Sequence, residues 1–90
     1  MNIQIIKVHI PYGEPEHHSA ITKYMSSGNV VWEKADLISF LQSSSNGAFV
    51  KDRQGDTVFC EVVYPSSGRP YIKTKPDGIL ADNLLSLPRF

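Results

Sequence analysis

The sequence predicts an α+β domain: a small antiparallel sheet of about five strands with one helix packed on a face, ordered β-β-α-β-β-β, and a leucine-rich C-terminal tail docked on the core. Three observations carry this reading. Short runs rich in Ile, Val, Phe and Tyr recur between turn residues; a single stretch switches to helical spacing; and the leucines crowd into an end that keeps neither period. With 90 residues the chain is long enough for one core and too short for a second independent one, so residues 1–90 are expected to form a single domain.

Residues 2–10 hold Ile3, Ile5, Ile6, Val8 and Ile10, and the alternation changes phase between Ile5 and Ile6. Either both strand faces are partly apolar or a bulge sits there. Pro11, Gly13 and Pro15 stop this strand. Residues 17–25 then alternate loosely, with Ile21 and Met25 on one side and Ala20, Thr22 and Tyr24 on the other, and are expected to return antiparallel. Ser26, Ser27, Gly28 and Asn29 end the second strand.

Beyond Trp32 the apolar residues Leu37, Ile38 and Leu41 take helical spacing, with Phe40 and Ala35 beside them, which predicts a helix over about residues 33–43. Glu33 suits the positive end of the helix dipole but is a weak cap. The run from Ser43 to Gly47 is a polar breaker. The helix has one apolar face and should lie across the sheet.

Residues 48–51 and 57–64 are β-rich and flank a five-residue turn segment, and Ser66, Ser67 and Gly68 separate the latter from a strand over 70–73. Val58, Cys60, Val62 and Tyr64 share one side while Phe59 and Val63 share the other, which marks a central strand. The first strand or the last strand of the meander is the expected free edge. Pro76-Asp77-Gly78 is a strong turn signal, after which Leu80, Leu84, Leu85, Leu87 and Phe90 form the tail.

Composition narrows the function classes. Nine Lys plus Arg balance nine Asp plus Glu, so no global field recruits nucleic acid or an acidic membrane, and any such binding needs a local patch. The lone Cys60 excludes an intrachain disulfide and a four-thiolate zinc site, and fits a reducing compartment. No apolar run approaches the roughly 18 residues of a membrane span, and the start has no signal-peptide pattern. The expectation is a cytoplasmic protein.

The run Tyr71-Ile72-Lys73-Thr74, then Pro76-Asp77-Gly78, then Asp82-Asn83-Leu84-Leu85 and Leu87-Pro88 resembles the closing signature of domain of unknown function family 3892, whose members are small and mostly bacterial. Trp32 with the helix after it, and Ala48-Phe49-Val50 after Gly47, are similar to that family's middle section, so the resemblance spans about two thirds of the chain. It implies a small antiparallel sheet with one helix and implies no activity. Glu33 departs from the serine or threonine expected as a cap, and the first loop is longer.

Among chemical candidates, His9, Glu14, Glu16, His17 and His18 gather around the first turn, with His9 expected to face His17 or His18 across the strands. Two imidazoles and a carboxylate form a divalent-metal donor set, but the simpler reading is a solvated strand end, and no metal or other cofactor is expected. Cys60 stands mid-strand as a small hydrophobe. There is no Gly-x-Ser-x-Gly elbow, phosphate loop, His-Glu-x-x-His or Rossmann fingerprint, so nothing directs the reading toward an enzyme.

Six of the nine cations lie beyond residue 50, and Lys51, Arg53, Arg69, Lys73 and Lys75, with Tyr71, form the candidate nucleic-acid-binding set. Interspersed Asp52, Asp56, Glu61, Asp77 and Asp82 make the same stretch read as a mixed-charge surface. The favoured expectation is a noncatalytic binding or accessory module acting through a protein partner or self-association, with nucleic-acid binding as the alternative.

Overall fold

The computed structural model describes residues 1–15, 17–51, 55–75 and 84–90. Six strands, β1 (Asn2–His9), β2 (Lys23–Ser26), β3 (Val30–Glu33), β4 (Gly47–Lys51), β5 (Thr57–Val63) and β6 (Tyr71–Thr74), form one sheet with a single helix α1 (Lys34–Leu41) and a 3₁₀ turn at His18–Ala20. The spatial order is β3-β2-β1-β4-β5-β6. The α+β class predicted from periodicity holds.

The strand count and sheet type differ from expectation. Residues Val30–Glu33 form a full strand pairing antiparallel with β2, making six strands rather than five. The cause is the turn at Ser27 to Asn29, where Gly28 (φ 85°) and Asn29 (φ 63°) both take positive φ and reverse the chain. The sheet is mixed because β1 pairs with β4 in parallel. Helix α1 carries the chain from β3 over the sheet to the far side of β1, and a crossover of that kind delivers a strand in the same direction as the one it left.

The first strand is therefore central, not an edge: it lies between β2 and β4, while β3 and β6 are the outer strands. The second strand is shorter than expected. His18–Ala20 closes a 3₁₀ turn, and Ile21 and Tyr24 are both fully buried where strict alternation assigns them to opposite sides. Helix α1 starts after Glu33, whose side chain makes no capping hydrogen bond.

The change of phase in the first strand is a register irregularity between Ile5 and Lys7. It lets Ile5 and Val8 both face inward although they stand three residues apart. Ile5, Val8, Tyr24, Leu37, Val50, Ile72 and Leu84 are all buried in one core, with Trp32, Phe40, Leu85 and Leu87 packed against it. At the C-terminus, Pro88 to Phe90 run along β1 where β4 no longer flanks it: the Val8 amide donates to the Pro88 carbonyl (3.1 Å) and the Phe90 amide to the Val8 carbonyl (3.2 Å). The Pro76-Asp77-Gly78 turn lies outside the described residues. No helix among the described residues is long and apolar enough to cross a membrane.

Candidate functional site

Strands β4, β5 and β6 alternate cleanly. Ala48, Val50, Val58, Cys60 and Ile72 point into the core, so Phe49, Lys51, Phe59, Glu61, Tyr71 and Lys73 share the opposite, open face. Phe49 and Phe59 are register partners, their rings 5.8 Å apart at 57°. The Lys51 ammonium sits 5.7 Å from the centre of the Phe49 ring and donates to the Thr57 hydroxyl at 2.7 Å. Lys73 stands across from Glu61.

The candidate nucleic-acid set is thus divided. Lys51 and Lys73 share the open face with the two phenylalanines, and Lys75 extends the same hairpin, its amide donating to the Phe59 carbonyl at 2.8 Å. Tyr71 is at the far end of β5–β6, six residues along β5 from the Thr57 that meets Lys51, which is about 20 Å of strand. Its ring meets the edge of His17 at 5.7 Å. Arg69 acts on the start of α1, where burial first and the Arg69 charge second lower the Lys34 pKa. Arg53 lies outside the described residues.

The histidines do not converge. His9 is the register partner of Lys23, and its Nδ1 meets the Phe90 carbonyl oxygen, so the C-terminal residues claim the ring instead of His17 or His18. The His17 Nδ1 contacts the Ser19 hydroxyl at 2.8 Å and accepts from the Ser19 amide at 3.1 Å, while His18 is buried. Among the described residues no group of three His, Cys, Asp or Glu is arranged to hold a metal ion. Glu16 lies outside the described residues.

Two features were not singled out from sequence. One is a cleft of about 510 Å³ between the end of α1 with the turn after it and β5, lined by Gln42, Ser44, Asn46, Phe59, Glu61 and Tyr64 among others. It opens because β5 outruns β4: their last register pair is Phe49 with Phe59, and the chain before Gly47 is a turn. The other is the outer edge of β3, where Val30 and Val31 are each 51% exposed. The Gly28-Asn29 dipeptide between two β-rich runs is the sequence signal for that strand.

Cys60 is buried, and burial pushes its thiol up to about 12 from an ordinary 9.0, the reverse of what a nucleophile needs. A family model for proteins of unknown function, DUF3892, matches residues 4–88, taking in the first hairpin as well as the middle and closing sections. No curated protein and no solved structure matches the chain. On a match that spans all but a few terminal residues, the chain belongs to the DUF3892 family.

Proposed function

We propose that the protein is a noncatalytic binding module that acts by contact with a protein partner or a second copy of itself. The observation carrying this reading is the outer edge of β3, which no other described strand covers. The Lys34 amide donates to the Thr22 carbonyl at 3.1 Å, and the register continues through Trp32 opposite Tyr24 and Val30 opposite Ser26. Alternation then turns the backbone groups of Val30 and Trp32 toward β2 and those of Val31, with the Glu33 amide, outward, while the Glu33 carbonyl caps the start of α1. The outward Val31 amide and carbonyl and Glu33 amide, beside half-exposed valines, are a short template for strand pairing. Burial moves Tyr24 and Cys60 away from ionisation, which favours a packing role for them over acid-base chemistry. A free buried thiol suits the reducing cytoplasm, and bacterial origin follows the family resemblance.

Val31→Pro tests the reading, because it removes an outward N–H without touching the β2–β3 bonds. Light scattering should give a mass that rises above the monomer with concentration for the native chain and stays monomeric for the variant, with unchanged circular dichroism. A native chain that remains monomeric at millimolar concentration would remove self-pairing, leaving a partner chain as the form of contact. The second reading, nucleic-acid binding, is favoured by Phe49, Phe59, Lys51 and Lys73 sharing one open face. It requires a gel shift with single-stranded nucleic acid that weakens steeply with salt and with Phe59→Ala.

A further inference from the structure

We propose that the cleft beside β5 takes a short extended peptide, which adds as a strand along the edge of β5 that β4 leaves open. The proposal rests on the contact reading above but on a different strand. The Lys75 amide donates to the Phe59 carbonyl at 2.8 Å. In an antiparallel ladder this makes residues 59, 61 and 63 direct their backbone groups at β6, and residues 58, 60 and 62 direct theirs to the other flank. Val58 meets Val50 there. Continuing that register, Val62 falls opposite Asn46, which lies in the turn and whose side chain is spent on the Phe40 carbonyl at 3.1 Å. The Val62 amide and carbonyl therefore face the cleft with no described strand beside them.

The molecule already fills an equivalent gap. Where β4 ends alongside β1, Val8 offers an amide and a carbonyl on the open flank, and the C-terminal residues bond to both, at 3.1 and 3.2 Å. At Val62 no described segment of the chain does so. The cleft's 510 Å³ lies within the range of sites that hold compact ligands of drug size, comparable to a few residues of peptide. Phe59, 39% exposed, supplies an apolar wall, and the Gln42 amide and Tyr64 hydroxyl, 3.4 Å apart, supply side-chain polar groups. Glu61 and Lys75 contribute opposite charges that cancel. This lining fits an uncharged extended peptide with small β-branched side chains, recognised mainly through its backbone.

The test uses the full chain labelled with nitrogen-15 and the capped peptide acetyl-Thr-Val-Thr-Val-Thr-amide. In the free protein the Val62 amide should exchange rapidly with solvent while those of Glu61 and Val63 are protected. Saturating peptide should shift the Val62 signal and slow its exchange by about tenfold or more. The same peptide N-methylated at every residue should do neither. Ser44→Trp, which fills the cleft from an exposed turn, should abolish the effect while leaving the rest of the spectrum in place. A Val62 amide already protected in the free protein, no response to millimolar peptide, or equal binding of the methylated peptide would each overturn the proposal. Because the response should persist in Val31→Pro, failure here and failure of the β3 reading are told apart.

Discussion

Tyr24 shows how a single side chain records the cost of this core. Its ring is fully buried, and among the described residues its hydroxyl has no hydrogen-bond partner. A buried hydroxyl without a partner forfeits its solvation, so replacing it with hydrogen should cost nothing. Tyr24→Phe is expected to leave the urea midpoint unchanged or raise stability by up to about 1 kcal/mol; a clear loss would mean the hydroxyl has a stabilising role. Burial, with Cys60 nearby as a second cause, raises the phenol pKa, and burial raises that of Cys60 to about 12. Both groups hold their protons more tightly folded than unfolded. Stability is therefore intact below the unfolded thiol value near 9 and falls as pH climbs from there toward 12. Melting temperatures across that range should fall less steeply for Cys60→Ala than for the native chain, measured relative to neutral pH; parallel curves would show that the thiol does not carry the effect.

At the scale of elements, the β2–β3 hairpin depends on its turn. Gly28 at φ 85° has no atom within 4 Å of an added Cβ, so alanine there meets no steric clash and suffers only from the left-handed backbone. Gly28→Ala should cost roughly 1 kcal/mol by chemical denaturation, while Asn29→Gly should be close to neutral. A Gly28→Ala variant as stable as the native chain would show that the turn relaxes. Strand β3 was hard to read because only four residues separate the turn from the helix, and Trp32 and Glu33 belong equally well to a helix start. The bulge in β1 was readable because a phase change in apolar alternation has few other meanings.

For the whole molecule, Leu84 closes the core from the end of the chain. It is fully buried beside residues contributed by β1, β2, α1, β4, β5 and β6. Leu84→Ala should cost about 2 to 4 kcal/mol, a large share of the stability of so small a domain. An unchanged denaturation midpoint would mean the core does not need the C-terminal residues.

The amino-acid order determined what depends on near neighbours. The helix near residues 34–41, the β5–β6 hairpin, the inward set Val58, Cys60 and Ile72, and the family all follow from local period and motif. Tertiary structure alone decided which strands became neighbours. One sequence of elements is compatible with several strand orders, and the choice depends on where α1 lands after crossing the sheet. That crossing put β1 at the centre, set β3 at an edge, drew His9 to Phe90 and away from His17, and left β5 longer than its neighbour. Both candidate contact surfaces are backbone groups that pair with no described strand, and a pairing that fails across the sheet leaves no mark in local sequence.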